Sequence, residues 1–132
     1  MIKVIICGHG NFASGINSAL KLITGGNDNV IALDFEGTDD GSAIANEMKR
    51  YSEQGKVIIL TDIYGGTPFR QAAMLSVANE DVHVLTGTNL GLVIELSMML
   101  DSIGEEENIE ATLIKLAKNH VSSIELELDE EF

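Results

Sequence analysis

Short apolar runs alternate along this chain with stretches of helical spacing, and the alternation predicts most of its secondary structure. Ile2 to Cys7 is nearly continuous in isoleucine and valine, as expected of a strand covered on both faces in a parallel sheet. From Asn11 to Thr24 the period changes, so that Phe12, Ile16, Ala19, Leu20 and Ile23 share one side of a helix that Gly25 and Gly26 end. Val30 to Phe35 reads as a second strand. A polar turn follows, then a helix from about Asp39 to Gln54 with Ile44, Ala45, Met48 and Tyr51 inward and Gly55 as its stop.

Val57 to Thr61 is a third buried-type run, and Ile63 to Gly66 a tight turn. Thr67 followed by Pro68 predicts a helix start: the threonine hydroxyl serves as N-cap, and proline suits the first helical position, where its missing N–H is no loss. That helix extends to about Ala78. Val82 to Leu85 is a fourth strand, Gly87 to Asn89 a turn, Leu90 to Leu100 a markedly apolar helix, and Asp101 to Glu107 a linker. A last helix spans Asn108 to Asn119, with Ile109, Leu113, Leu116 and Ala117 inward. Met48, Met74, Met98 and Met99 fall at helical core positions. Ile124 to Leu128 alternates Ile-Glu-Leu-Glu-Leu, the period of a strand with one wet face.

Four strands separated by helices imply right-handed crossovers. The expected fold is α/β: a doubly wound, mainly parallel sheet of four strands with helices on both faces, plus a C-terminal strand added antiparallel at one edge. At 132 residues and 45% hydrophobic content, residues 1–132 are expected to form one domain. No 18-residue apolar run and no basic-then-apolar leader is present, so the expectation is a cytoplasmic protein with no inserted span. Cys7 is the single cysteine, which rules out an internal disulfide or a cysteine metal cage and leaves a small buried hydrophobe. With 21 acidic against 8 basic residues and a net charge of −13, the chain repels nucleic-acid backbones and anionic lipid. The acidic runs at Glu105, Glu106, Glu107 and Glu110, and at Glu125, Glu127, Asp129, Glu130 and Glu131, read as solvated faces.

In a doubly wound sheet the loops after strands one and three leave the same edge, where ligands gather at the topological switch point. His9, Asp62 and Thr67 are expected to converge there. Histidine acts as nucleophile near neutral pH when one ring nitrogen keeps a free lone pair. A carboxylate on the other nitrogen secures that tautomer, and Asp62 is the candidate. Gly65 and Gly66 let backbone amides approach an anion, and the helix start at Thr67 and Pro68 adds unpaired N–H groups with a favourable dipole. Gly10, Gly65, Gly66 and Thr67 are the expected phosphoryl-binding positions. Covalent phosphorylation of His9 is the chemistry that uses every part, and it needs neither metal nor organic cofactor.

Three stretches carry a resemblance: Gly8-His9-Gly10 with Asn11-Phe12-Ala13-Ser14-Gly15, Asp34-Phe35 after strand two, and Asp62-Ile63-Tyr64-Gly65-Gly66-Thr67-Pro68-Phe69. The chain is similar over nearly its whole length to a IIA component of the mannose/fructose/sorbose class of the bacterial sugar phosphotransferase system. The resemblance implies that His9 is phosphorylated at Nε2, that Asp62 orients it and that Thr67 contacts the phosphoryl group. It implies the histidine-containing phosphocarrier protein as donor, a IIB component on a separate chain as acceptor, association with a membrane permease complex, and a homodimer formed through the terminal strand. Thr67 stands where many relatives have serine, which keeps the hydroxyl, and Tyr64 where mannose-type relatives often have tryptophan.

Two rivals remain open on the sequence. Gly8-x-Gly10-x-x-Ala13 with Asp34 at the end of strand two matches a dinucleotide-binding fingerprint, although it leaves the second loop unexplained. A non-catalytic regulatory domain is the other, since α/β folds host many functions. His83 and His120 read as structural or exposed.

Overall fold

The computed structural model describes residues 2–124. In chain order the elements are β1 (Lys3–His9), α1 (Phe12–Thr24), β2 (Val30–Phe35), α2 (Ser42–Ser52), β3 (Val57–Thr61), α3 (Gly66–Ala78), β4 (Val82–Leu85), α4 (Leu90–Ser97), α5 (Leu100–Ile103) and α6 (Ile109–Lys118). The four strands form one sheet in the order β2-β1-β3-β4, and every pair is parallel. The chain winds outward from β1 to β2, then returns to β3 on the far side of β1, so the order reverses between β1 and β3. That is where a doubly wound sheet opens a crevice at its carboxyl edge.

Alternation along the strands builds two cores. Val4 and Ile6 of β1, with Ile58 and Leu60 of β3, pack against α1, α4, α5 and α6. Ile5 and Cys7, with Val57 and Ile59, face Met48 of α2 and Ala72 of α3 on the other side. The central strands are therefore buried on both faces, which their unbroken β-branched runs require. Ile5, Ile6, Ile58, Ile59 and Leu60 are wholly buried, each stabilising the fold by about 1.5–3 kcal/mol.

Several elements differ from the sequence expectation, for local reasons. β1 runs on through His9, because the ladder with β2 continues to the pair His9 and Phe35; the histidine ends the strand and does not sit in the turn. α2 begins at Ser42 and not at Asp39. Asp39 turns its carboxylate onto the amides of Gly41 and Ala43, and Asp40 onto that of Ser42, so both act before the helix. Thr67 is not the N-cap of α3: Gly65 is, with no side-chain hydrogen bond. The two glycines start the helix ahead of the threonine and place Pro68 inside the first turn.

The expected helix Leu90 to Leu100 divides into α4 and α5. The carbonyl of Ser97, which would accept from residue 101 in a continuous helix, accepts instead from Asn27 Nδ2 at 3.0 Å. Part of the expected linker 101–107 is thus helical. Met74, Met98 and Ile23, expected inward, are exposed; Met98 falls outside the helices, in the break between α4 and α5. Met48 is buried as expected. The proposed edge strand Ile124–Leu128 lies outside the described residues from 125 onward, and Ile124 itself has no regular structure.

Candidate functional site

His9 and Asp62 meet across the β1/β3 reversal. His9 is the last residue of β1, and Asp62 directly follows β3. Asp62 Oδ2 accepts the backbone N–H of His9 at 2.9 Å and lies 2.8 Å from His9 Nδ1. The other oxygen, Oδ1, accepts the N–H of Ile63 at 2.9 Å. Burial pushes the Asp62 carboxyl up, but the donors from His9 and Ile63 outweigh it and hold the group below its ordinary 3.8. An ionised acceptor on Nδ1 places the ring proton there and leaves Nε2 with a free lone pair. The Asp62 side chain is 11% exposed and that of His9 45%, so the carboxylate is sheltered while the ring remains reachable.

Two glycines make this geometry possible. A Cβ at Gly8 would stand 2.7 Å from the Phe12 ring and 3.0 Å from the Asp62 carboxyl carbon, so a side chain there would expel the carboxylate. Gly66, with φ +77°, lies under the outer edge of the imidazole: a Cβ would come within 3.0 Å of His9 Cε1 and 3.2 Å of Nε2. The first turn of α3 is therefore directly beside the free nitrogen. The Phe35 ring packs edge-on to the imidazole, with centroids 6.0 Å apart at 78°.

Helix ends at this edge differ in one respect that matters for anions. Asp34 Oδ1 accepts Ser14 N–H in the first turn of α1 at 2.9 Å. Asp39 and Asp40 serve α2 and Asn89 serves α4, while at the opposite edge of the sheet Asn108 serves α6. Among the described helices of eight or more residues, α3 alone has no side-chain acceptor on its first turn, and the amides of Gly65, Gly66 and Thr67 have no hydrogen-bond partner among the described residues. Unpaired amides at the positive end of a helix dipole form an anion site.

Of the residues expected to converge, His9 meets Asp62 and Gly66, with Gly65 and Thr67 flanking Gly66 in the chain. Gly10 follows His9, but its N–H donates to Phe35 O at 2.8 Å, so it offers no free amide to an anion. The Thr67 methyl is wedged against Gly41 of the β2–α2 loop, and its hydroxyl caps nothing. The dinucleotide reading fails at Asp34, whose carboxylate already fills the helix end where a pyrophosphate would bind. Gly8 and Phe35 belong to the site although the chemistry of neither suggested it; the signal was a glycine following an unbroken run of buried residues, and the position of Phe35 at the end of the neighbouring strand.

The remaining candidates are structural. His83 pairs with Glu110 and His120 with Glu95, tying α6 to β4 and α4. Cys7 is buried; burial, with the charges of Asp62 and Asp34, pushes its thiol up to about 12, which makes it inert. No cluster able to hold a metal ion occurs among the described residues.

Comparison with known proteins places the chain in a family. The chain is 32% identical over 103 residues to the fructose-specific EIIA component of the phosphotransferase system of Bacillus subtilis, covering 73% of this chain and 68% of that one. It is 22% identical to the mannose-specific EIIAB component of Escherichia coli, where it spans 93% of this chain but only 39% of the relative. The fold superposes on the crystal structure of the phosphotransferase system component EIIA from Streptococcus agalactiae with a TM-score of 0.84 and 30% identity, covering 93% of this chain and 97% of that one. A family model described as the PTS system fructose IIA component, EIIA-man, matches residues 3–113, and with it the chain belongs to the mannose/fructose/sorbose family of phosphotransferase-system IIA components.

Proposed function

We propose that this protein is the cytoplasmic phosphocarrier that moves a phosphoryl group from the histidine-containing phosphocarrier protein to a IIB component on a separate chain, through a phosphohistidine at His9 Nε2. The observation that carries the reading is the pairing of His9 Nδ1 with Asp62 Oδ2 at 2.8 Å while the Cε1–Nε2 edge of the ring lies beside the open first turn of α3.

In the first transfer the Nε2 lone pair attacks phosphorus in line with the donor's P–N bond. As the new P–N bond forms, the old one breaks and its electron pair leaves with the donor imidazole. The Nδ1 proton stays on the ring in its hydrogen bond to Asp62, whose negative charge offsets the positive charge that develops on His9. The phosphoryl oxygens rest on the amides of Gly65, Gly66 and Thr67, with the Thr67 hydroxyl as a further donor. The second transfer reverses these steps toward the acceptor. Since one phosphohistidine replaces another, alignment and charge stabilisation supply the catalysis.

The same reading includes a homodimer formed through the terminal segment that contains Ile124 to Leu128, whose half-apolar alternation is that of an edge strand inviting a partner strand; light scattering that finds only monomer removes this part. No helix among the described residues is long and apolar enough to cross a membrane. The decisive experiment is mass spectrometry after incubation with phosphoenolpyruvate and the general phosphotransferase proteins. The expected product carries a single acid-labile phosphate, lost in His9→Ala. An unmodified wild-type chain, or phosphate retained by that variant, overturns the proposal.

A further inference from the structure

We infer that Thr88 is a positioning residue for the phosphoryl transfer, acting through the carbonyl of Thr61 on Asp62; the inference rests on the reading of His9 as the phosphorylated group. Thr88 lies in the loop between β4 and α4, and its own atoms do not reach His9. What it holds is the last peptide of β3. Thr88 Oγ1 donates to the Thr61 carbonyl at 2.7 Å, and Thr88 N–H donates to the same oxygen at 3.2 Å.

That oxygen belongs to the peptide unit that also contains the amide nitrogen of Asp62. Because the unit is planar, fixing the direction of its carbonyl fixes the plane from which Asp62 departs. The other restraints on Thr61 are one-sided. Its neighbour on β1 is Cys7, but the β3–β4 ladder ends one residue earlier, at Leu60 and Leu85. Its side chain is wholly buried, and Thr61 Oγ1 has no hydrogen-bond partner among the described residues. On the β4 side, therefore, Thr88 replaces the missing ladder.

Thr88 itself stands on a firm base. It is only 9% exposed. The next residue, Asn89, caps α4 by accepting Leu92 N–H at 2.8 Å, and its amide donates to Ala117 O at the end of α6 at 3.2 Å. Hydrogen bonds joined by the peptide links Asn89–Thr88 and Thr61–Asp62 thus run from the end of α6 to Thr61 and on from Asp62 to His9. Thr86, two residues earlier, has a buried hydroxyl that meets no partner among the described residues, so Thr88 is the threonine of this loop whose hydroxyl is used.

The test compares Thr88→Val, which keeps the shape and removes the hydroxyl, with Thr88→Ser, which keeps the hydroxyl and removes a methyl. Three quantities are read: the maximal rate and KM of His9 phosphorylation by the donor protein, the tautomer of the His9 ring by long-range nitrogen–proton NMR, and the urea midpoint. In Thr88→Val the maximal rate falls about three- to tenfold through misalignment, KM is unchanged because no surface group is altered, and the ring spectrum no longer shows a pure Nδ1–H form. In Thr88→Ser rate and spectrum return to wild type although the urea midpoint drops.

A structural role alone makes rate follow stability, so a Thr88→Ser variant as slow as Thr88→Val overturns the inference, as does Thr88→Val at the wild-type rate. If the wild-type chain takes up no phosphate, the reading of His9 fails by itself. The ring spectrum then decides the Thr88 inference alone, supported by an altered tautomer in Thr88→Val and overturned by an unaltered one.

Discussion

Replacing Asp62 by asparagine tests the centre of the site while leaving its shape intact. The carboxylate receives three N–H groups: the backbone and ring donors of His9 on Oδ2, and the Ile63 amide on Oδ1. An asparagine side chain has a single acceptor oxygen. If that oxygen takes the place of Oδ2, the new NH2 group confronts the Ile63 amide. If it takes the place of Oδ1, the NH2 group confronts the His9 amide and donates to Nδ1, which forces the ring proton onto Nε2 and removes the attacking lone pair. Either orientation leaves one donor opposed by a donor in a site whose carboxylate is only 11% exposed, and both lose the charge that supports the ring. Hydrogen bonds to a charged group contribute about 1.5–3 kcal/mol each. The expected loss of transition-state stabilisation is therefore about 2–4 kcal/mol, or about 30- to 1,000-fold in the rate of phosphoryl transfer. Rapid-quench measurement of labelled phosphate reaching His9 reads this directly, with circular dichroism to show that the fold survives. A variant within about twofold of wild type, a difference of under 0.5 kcal/mol, would refute the orienting role.

Other perturbations separate the remaining parts. Gly66→Ala places a methyl 3.0 Å from His9 Cε1 at a backbone φ of +77°; it strains the chain by about 1–2 kcal/mol and is expected to reduce phosphate incorporation at least about 100-fold, so normal incorporation would move the phosphoryl group away from α3. Cys7 is expected to resist iodoacetamide in the native protein and react in urea. Because burial and the charges of Asp62 and Asp34 raise its thiol from 9.0 to about 12, the unfolded chain loses that proton first, and stability falls as pH rises through this window; alkylation of the folded protein at neutral pH would contradict the burial. Burial pushes Glu110 up, but the His83 ring and the Glu110 amide outweigh it and hold the carboxyl below its ordinary 4.5. A lowered carboxyl contributes stability that is present above that value and disappears as pH falls through the folded-state value. Glu110→Gln is therefore expected to flatten the acid limb of a urea-midpoint profile, and an unchanged limb would remove the pair from the account.

The fold was legible because its signals are local and strong. The continuous apolar runs located β2, β3 and β4 at their observed limits, and the alternation of strand with helix implied the parallel sheet. His9 and Asp62 were legible as a pair because a doubly wound topology brings loops one and three to the same edge whatever their details. What escaped the sequence was set by tertiary neighbours. The break between α4 and α5 depends on Asn27, a residue 70 positions away in the chain that takes the Ser97 carbonyl. Thr67 lost its capping role because two preceding glycines reach backbone angles that start the helix earlier. Asp34 looked like a ribose ligand because that fingerprint specifies a residue type at a strand end and cannot specify what the carboxylate faces.

That last ambiguity bears on how so acidic a protein would receive a phosphoryl group under the proposed function. The carboxyl edge carries Asp34, Asp39, Asp40 and Asp62, in a chain of net charge −13, and a free dianion approaching it is repelled. All four carboxylates accept backbone N–H groups. Asp34 sits on the first turn of α1, Asp39 and Asp40 on that of α2, and Asp62 on the His9 amide and ring. Each cancels a local concentration of N–H groups, so the helix ends that they cover no longer attract anions. α3 keeps its positive end open, and it does so beside Nε2 and nowhere else along the edge. Repulsion over the whole surface combined with attraction at one nitrogen suits a group that arrives already bonded to a partner and leaves bonded to another. On the proposed function, the protein need not capture phosphate from solution; it needs only to be the place where the P–N bond is exchanged.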